Sequence, residues 1–250
     1  MPQSPPLLIL KTGNTLPAIA ADHGDFERWF TRGLGLRSED VVVIDSRHDT
    51  LPHHSTAQEH FGAVLITGSP AMVSDAEAWS VRTGEWLAEV AEHSGLPMLG
   101  VCYGHQLLAA ALGGEVGNNP RGREIGTHRV HLHPQAEQDP LFRIYAAPAM
   151  QPLRVQMSHS QSVLRLPPEA IPLAYNTHDA HQAYRWRERV WGVQFHPEFD
   201  ASIVRGYIRG RWDALAREGL DAERLSQHAD DSEHGDLLLQ RFAALMKAQV

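Results

Sequence analysis

The single cysteine of the chain, Cys102, lies in the run Leu99-Gly100-Val101-Cys102-Tyr103-Gly104-His105-Gln106. A thiol in this Gly-x-Cys-x-Gly setting has the layout of a nucleophile elbow, a tight strand-to-helix turn that pushes one side chain out beyond the end of a sheet. Gly100 and Gly104 leave room where larger side chains would collide across the turn. The apolar stretch 107–112 reads as a buried helix ending at Gly113-Gly114. The positive end of that helix favours thiolate over thiol and makes the sulfur nucleophilic near neutral pH. A lone cysteine is otherwise a small buried hydrophobe, and it is the flanking glycines that favour the nucleophile.

A thiolate nucleophile needs a base that takes a proton and later returns it to a leaving amine, and imidazole does this near neutral pH. The run Trp191-Gly192-Val193-Gln194-Phe195-His196-Pro197-Glu198 offers one. Its β-rich part ends at His196, because Pro197 has no N–H to donate to a ladder. Glu198, two residues on, could hold the ring in one tautomer and stabilise the imidazolium. A third piece, Leu65-Ile66-Thr67-Gly68-Ser69-Pro70, is another strand running into a tight turn. Attack on a carbonyl builds negative charge on oxygen, which pre-aimed backbone N–H groups stabilise. The Gly68-Ser69 turn and the N–H of Tyr103 are the candidate donors.

These turns require strands and helices to position them. Residues 7–10, 41–45, 63–67 and 97–101 are nearly continuous in aliphatic side chains, as buried parallel strands are. Ser74 and Glu77 read as a capping box for a helix carrying Trp79, Thr83, Trp86, Leu87 and Val90 at helical spacing, stopped by Gly95 and Pro97. Residues 117–123 read as a polar loop. Shorter strands are expected at 129–133, 154–157, 173–176, 182–186 and 190–195. Helix is expected from Ala201 to about Glu218 and from Asp221 to the end, broken by the acidic stretch 230–233. The alternation predicts a layered α/β fold, organised as one domain over 1–200 with a helical C-terminal extension, 201–250, packed on it.

A chain of 250 residues with 42% hydrophobic and 21% charged residues can bury a large core. Its net charge of −8 argues against a nucleic-acid partner, and no apolar run is long enough to span a membrane. The N-terminus, Met1 to Pro6, lacks a basic leader, and one cysteine suits a reducing compartment, so a cytoplasmic location is expected. The arginines at 121, 123 and 129 and at 185, 187 and 189 read as solvated faces. The tryptophans, Trp29 and Trp212 included, read as packing residues. His53-His54, His128/His131/His133 and His178/His181 lack partners at ligand spacing, so no metal and no cofactor are expected.

Taken together, these segments resemble the class I (triad) glutamine amidotransferases over about residues 60–200. The resemblance rests on Gly100, Cys102, Gly104 and Gln106, and on His196, Pro197 and Glu198. It extends to Leu112-Gly113-Gly114, Arg123-Glu124-Ile125-Gly126 and Met157-Ser158-His159-Ser160, which look like segments of the GMP-synthetase branch. It implies a flavodoxin-like or Rossmann-like, mostly parallel central sheet flanked by helices, and hydrolysis of the γ-amide of glutamine through a thioester on Cys102. His196 would relay protons, Glu198 would orient it, and Ser69 and Tyr103 would hold the oxyanion. Gln106 and the stretch Ser158, His159, Ser160 and Gln161 would hold the α-amino-acid end of the substrate.

Two positions depart from that pattern. Ser69 stands where the family often has glycine, and Gln161 stands where the branch usually has an aspartate able to pair with the substrate ammonium. The second departure, with no ATP-binding loop in the sequence, leaves several readings open. They are a glutaminase feeding a separate ATP-dependent synthetase subunit or another acceptor, a γ-glutamyl peptidase acting on a conjugate, a catalytically idle regulatory subunit, and a redox-type cysteine elbow.

Overall fold

Strands form where aliphatic residues run together, and the computed structural model, which describes residues 5–248, contains eleven among those residues. They are β1 (Leu7–Lys11), β2 (Val41–Asp45), β3 (Ala63–Ile66), β4 (Met98–Val101), β5 (Glu115–Asn118), β6 (Glu124–Leu132), β7 (Leu153–His159), β8 (Gln161–Arg165), β9 (Ala170–Tyr175), β10 (Ala183–Trp186) and β11 (Val190–Val193). The large sheet has the order β2-β1-β3-β4-β11-β10-β9-β6-β7. Its first five strands are all parallel. Their order is the 2-1-3-4-5 arrangement of a flavodoxin-like sheet, in which ligands gather beyond the carboxyl ends of the strands. Strands β10, β9, β6 and β7 continue the sheet antiparallel, while β5 and β8 form a separate ribbon. Residues 1–4, where the sequence lacks a basic leader, and residues 249–250 lie outside the described residues.

Alternation along each strand divides the core between the two sheet faces. On β1, Leu7 and Ile9 join Leu65, Leu99, Val101, Trp29, Phe30 and Phe242, whereas Leu8 and Leu10 join Val64, Ile66, Met98, Trp86, Leu107 and Leu108. Among the described residues five helices lie in the first half: α1 (Pro17–His23), α2 (Phe26–Gly33), α3 (Ala57–His60), α4 (Ala78–His93) and α5 (Tyr103–Ala111). Four follow β11: α6 (Ala201–Gly210), α7 (Trp212–Arg217), α8 (Ala222–Gln227) and α9 (Glu233–Lys247). The acidic break before α9 is a fastening point. Asp231 accepts from the Ala201 N–H, the Asp230 carbonyl accepts from Gln156 Nε2, and Arg154 pairs with Asp230 at 2.6 Å.

Several expectations need correction. Ser74 and Glu77 form no capping box: α4 starts at Ala78 with Glu77 at its N-cap making no cap bond, and Ser74 lies in a short 3-10 turn, Val73–Asp75. The Glu77 carboxylate instead accepts from Trp79 Nε1. β2 is a sheet edge with Val42 and Val43 exposed, not a buried strand. The expected loop at 117–123 begins as strand β5, and β6 starts five residues earlier than its apolar run suggests. The helix drawn from Ala201 to Glu218 breaks at Arg211, and Trp212 is 43% exposed because that break turns it outward.

β3 and α5 cross at a close backbone approach. A Cβ added to Gly104 would stand 2.5 Å from the Ile66 carbonyl oxygen, a backbone atom with no rotamer to escape into. Gly104→Ala should therefore destabilise the fold by about 1–3 kcal/mol, the usual cost of overpacking. Urea unfolding of the variant measures this, and an unchanged midpoint would show that the crossing can relax.

Candidate active site

β4 turns into α5 through Cys102, which has φ 53° and ψ −103°. A non-glycine residue in this region stores roughly 1–3 kcal/mol of strain and persists only where its surroundings hold it. The holding contacts are backbone ones. A Cβ on Gly100 would lie 2.5 Å from the Gly104 carbonyl oxygen, and the Cys102 N–H donates to the Val193 carbonyl at 2.9 Å. That last bond ties the elbow to β11, the strand leading to His196.

His196 is placed by three contacts. Its N–H donates to the Gln156 carbonyl at 2.8 Å, and its Nδ1 faces Glu198 Oε1 at 2.8 Å. Its ring lies flat on Phe199, with centroids 3.9 Å apart. Gly68 is required beside the ring, because a Cβ there would come 2.9 Å from His196 Cε1. Cys102, His196 and Glu198 are all buried. Burial alone pushes the Cys102 thiol up, but the charge of His196 and its hydrogen bond, with a smaller contribution from His159, overcome this and leave it lowered. Burial pushes His196 down, and the charges of Glu198 and Cys102 reverse the sign and raise it. The two groups favour each other's charged forms, so the pair tends toward thiolate and imidazolium.

The turn at Gly68-Ser69 is built from below by the end of β1. Thr12 Oγ1 donates to the Thr67 and Gly68 carbonyls at 3.0 and 3.1 Å, and Ser69 Oγ donates to the Thr12 carbonyl at 2.8 Å. The serine side chain is thus accommodated by a bond to the neighbouring strand's exit. Among the described residues neither the Ser69 nor the Tyr103 N–H has a backbone acceptor. The Tyr103 N–H is one of the orphan donors of a helix start.

The opposite wall is the end of β7 and the start of β8. Gln106 Nε2 donates to the Gln161 carbonyl and to Gln194 Oε1 at 2.8 and 2.9 Å, so this amide fastens the wall to α5. The Ser158 carbonyl faces Cys102 Sγ at 3.9 Å, its Oγ is buried without a partner, and Ser160 Oγ reaches Met72 Sδ at 4.0 Å. Gln161 is committed: its Nε2 donates to Ser74 Oγ at 2.6 Å and Asn118 Oδ1 at 3.3 Å, and its Oε1 accepts from the Ser74 N–H at 3.4 Å. Ser74 is therefore a wall residue rather than a helix cap.

His159 has a part that local spacing does not show. Its Nδ1 meets the Gln161 carbonyl at 2.9 Å and its Nε2 meets Glu124 Oε2 at 3.0 Å. Both neighbours are acceptors, so both ring nitrogens carry protons and the ring is an imidazolium. Glu124 is buried and also accepts from Asn176 and Gln182. Burial opposes its ionisation, but the hydrogen bond and charge of His159 hold it down at about 2. His159 thus brings a buried positive charge near Cys102 rather than a free ring nitrogen.

Two cations also border this cleft: Arg123, read from sequence as part of a solvated face, and Arg211 at the α6–α7 break. Arg123 forks onto Glu218 at 2.8 and 3.0 Å. No group of three or more His, Cys, Asp or Glu among the described residues could hold a metal, and none of their helices is long and apolar enough to cross a membrane.

With this geometry in hand, the family model for glutamine amidotransferase class-I matches residues 20–206. A GMP synthase [glutamine-hydrolyzing] from Aeropyrum pernix is 37% identical over 186 residues, covering 74% of this chain but 32% of that protein. The chain thus spans about a third of such relatives. A glutamine amidotransferase-like protein from Gibberella zeae is 26% identical over 198 residues, covering 78% of this chain and 75% of that one. A crystal structure of a glutamine amidotransferase from Thermotoga maritima superposes with a TM-score of 0.72 at 20% identity, covering 98% of both chains.

Two outcomes follow from the paired charges. Alkylation of Cys102 by iodoacetamide should proceed well below the ordinary thiol value of 9.0, and His196→Asn should move the midpoint of the rate–pH profile upward. A midpoint unmoved by the substitution would separate the sulfur from the imidazole. The lowered Glu124 carboxyl stabilises the fold fully above its ordinary value of 4.5, and that stabilisation is lost as pH falls from there toward about 2. Acid unfolding of Glu124→Gln, followed by circular dichroism, should be less steep in this window than that of the wild type.

Proposed function

The chain belongs to the glutamine amidotransferase class-I family, and from that premise we propose that it hydrolyses the γ-amide of glutamine or of a γ-glutamyl compound through Cys102. The observation that carries this reading is the convergence of the lowered Cys102 thiol, the His196–Glu198 pair and two unpaired backbone N–H groups at one strand edge.

In the first half-reaction the Cys102 thiolate attacks the γ-carbonyl carbon, forming a C–S bond and a tetrahedral oxyanion to which the Ser69 and Tyr103 N–H groups donate. His196, as imidazolium, gives its proton to the departing nitrogen, and the C–N bond breaks to leave a γ-glutamyl thioester and ammonia or an amine. In the second half-reaction His196 takes a proton from water, whose oxygen attacks the thioester carbon, and glutamate leaves as the thiolate is restored. Glu198 holds the ring in place throughout and stabilises it whenever it is protonated. The ammonia would serve a separate ATP-dependent partner, as an acceptor system outside this chain.

A second reading, hydrolysis of a γ-glutamyl conjugate, is favoured by Gln161. Its amide is fully occupied by Ser74 and Asn118 and supplies no negative charge to a substrate ammonium.

Ammonia release from glutamine, and glutamate release from γ-glutamyl conjugates, should fall by about a thousandfold or more in Cys102→Ala, as when a nucleophile acting in a unit is removed. Equal rates in wild type and variant would take the sulfur out of the mechanism. The ratio of kcat/KM for glutamine and for conjugates decides between the two substrates.

A further inference from the structure

Two guanidinium groups border the cleft beside Cys102, and only one of them holds a carboxylate. Arg123 is satisfied by Glu218. Arg211 is not: its Nε is buried with no hydrogen-bond partner, and its guanidinium carbon lies over the Tyr207 ring, 5.8 Å from the centroid. Burial, then the charge of Arg123, push its pKa down, and the charges of Tyr207, Cys102 and Glu218 offset this only in part. A guanidinium offers five donors in a planar fork that matches a carboxylate. Tyr207 stacks on Phe199, and Phe199 stacks on His196, so a row of stacked rings leads from Arg211 to the reacting groups.

We propose that Arg211, backed by Arg123, is a carboxylate-binding subsite of the Cys102 cleft. This rests on the γ-glutamyl reading above and narrows it. Two carboxylates have the required chemistry: the α-carboxylate of the glutamyl group, and one carried by the leaving amine, as in a γ-glutamyl dipeptide. The pair of guanidinium groups favours the dipeptide. Free glutamine carries one carboxylate, whereas a γ-glutamyl dipeptide carries two, for a cleft bordered by Arg123 and Arg211.

The first arm of the test needs no turnover. Iodoacetate and iodoacetamide react with the same thiolate, sulfur displacing iodide, but one bears a carboxylate and the other a neutral amide. The ratio of their rate constants cancels the thiolate fraction. Arg211→Gln should lower the iodoacetate-to-iodoacetamide ratio about tenfold, the loss of one charge-assisted hydrogen bond, and Arg211→Lys should restore part of it. Equal slowing with both reagents, or an unchanged ratio, would overturn the subsite and leave Arg211 as a residue that tunes the thiolate or holds the fold. Should the variants not fold, protection of wild-type Cys102 against iodoacetamide by acetate but not by acetamide supports the subsite, and equal protection by both refutes it.

The second arm compares glutamine, γ-glutamylglycine, γ-glutamylmethylamide and glutamine α-amide as substrates of wild type and Arg211→Gln. A rise in KM confined to γ-glutamylglycine assigns the leaving-group carboxylate. A rise with every compound except glutamine α-amide assigns the α-carboxylate, and a uniform rise with all four removes the subsite. Absence of turnover with every compound removes the hydrolase reading, while the alkylation ratio still decides the subsite.

Discussion

A thiolate and an imidazolium can share a buried site only if each offsets the other's desolvation and fixed neighbours answer the remaining charge. The rest of this molecule is arranged around that requirement. Glu198 backs His196 at 2.8 Å, and the aromatic faces of Phe199 and, further out, Phe26 keep the ring from turning away. A second buried pair, Glu124 and His159, lies behind the β7–β8 wall and is itself closed by Asn176 and Gln182. Removing any one carboxylate would strand a buried cation, which is why these groups come in linked sets.

The sheet provides the proximity. Parallel strands β1, β3, β4 and β11 end along one edge, so the turns after them converge without long excursions. Convergence is possible because side chains are missing where chain segments cross. Gly100 meets the Gly104 backbone, Gly104 meets the Ile66 carbonyl, and Gly68 meets the His196 ring. Thr12 adds the hydroxyl that braces the turn after β3, so the exits of two neighbouring strands form one hydrogen-bonded unit.

The parts legible in sequence were those announced by glycine, proline and strand periodicity. Cys102, His196, Glu198 and the Ser69 turn lie at strand ends that such residues mark, and the structure brings them together. The parts that escaped depend on partners far along the chain. Glu124 meets His159 because β6 and β7 pair in antiparallel register, with those two residues directly opposite, and no local spacing encodes that. Ser74 looks like a helix cap beside Glu77, yet its hydroxyl is taken by Gln161, 87 residues away. Arg211 fell inside an expected helix; the only local sign of the break is Gly210 before it, and a lone glycine is a weak signal in a helix. Arg123 looked like surface because its partner, Glu218, comes from the C-terminal helices.

The last helix reaches the catalytic segment at one peptide group. A Cβ on Gly235, in the first turn of α9, would stand 2.4 Å from the Pro197 carbonyl oxygen, so the helix is seated directly against the segment joining His196 to Glu198. None of the residues of β2, at one margin of the sheet, lines the cleft. The two flanks of the molecule are therefore unequal hosts for change. A methyl group at the start of α9 would press on the peptide that follows His196, whereas β2 contributes no side chain to the cleft.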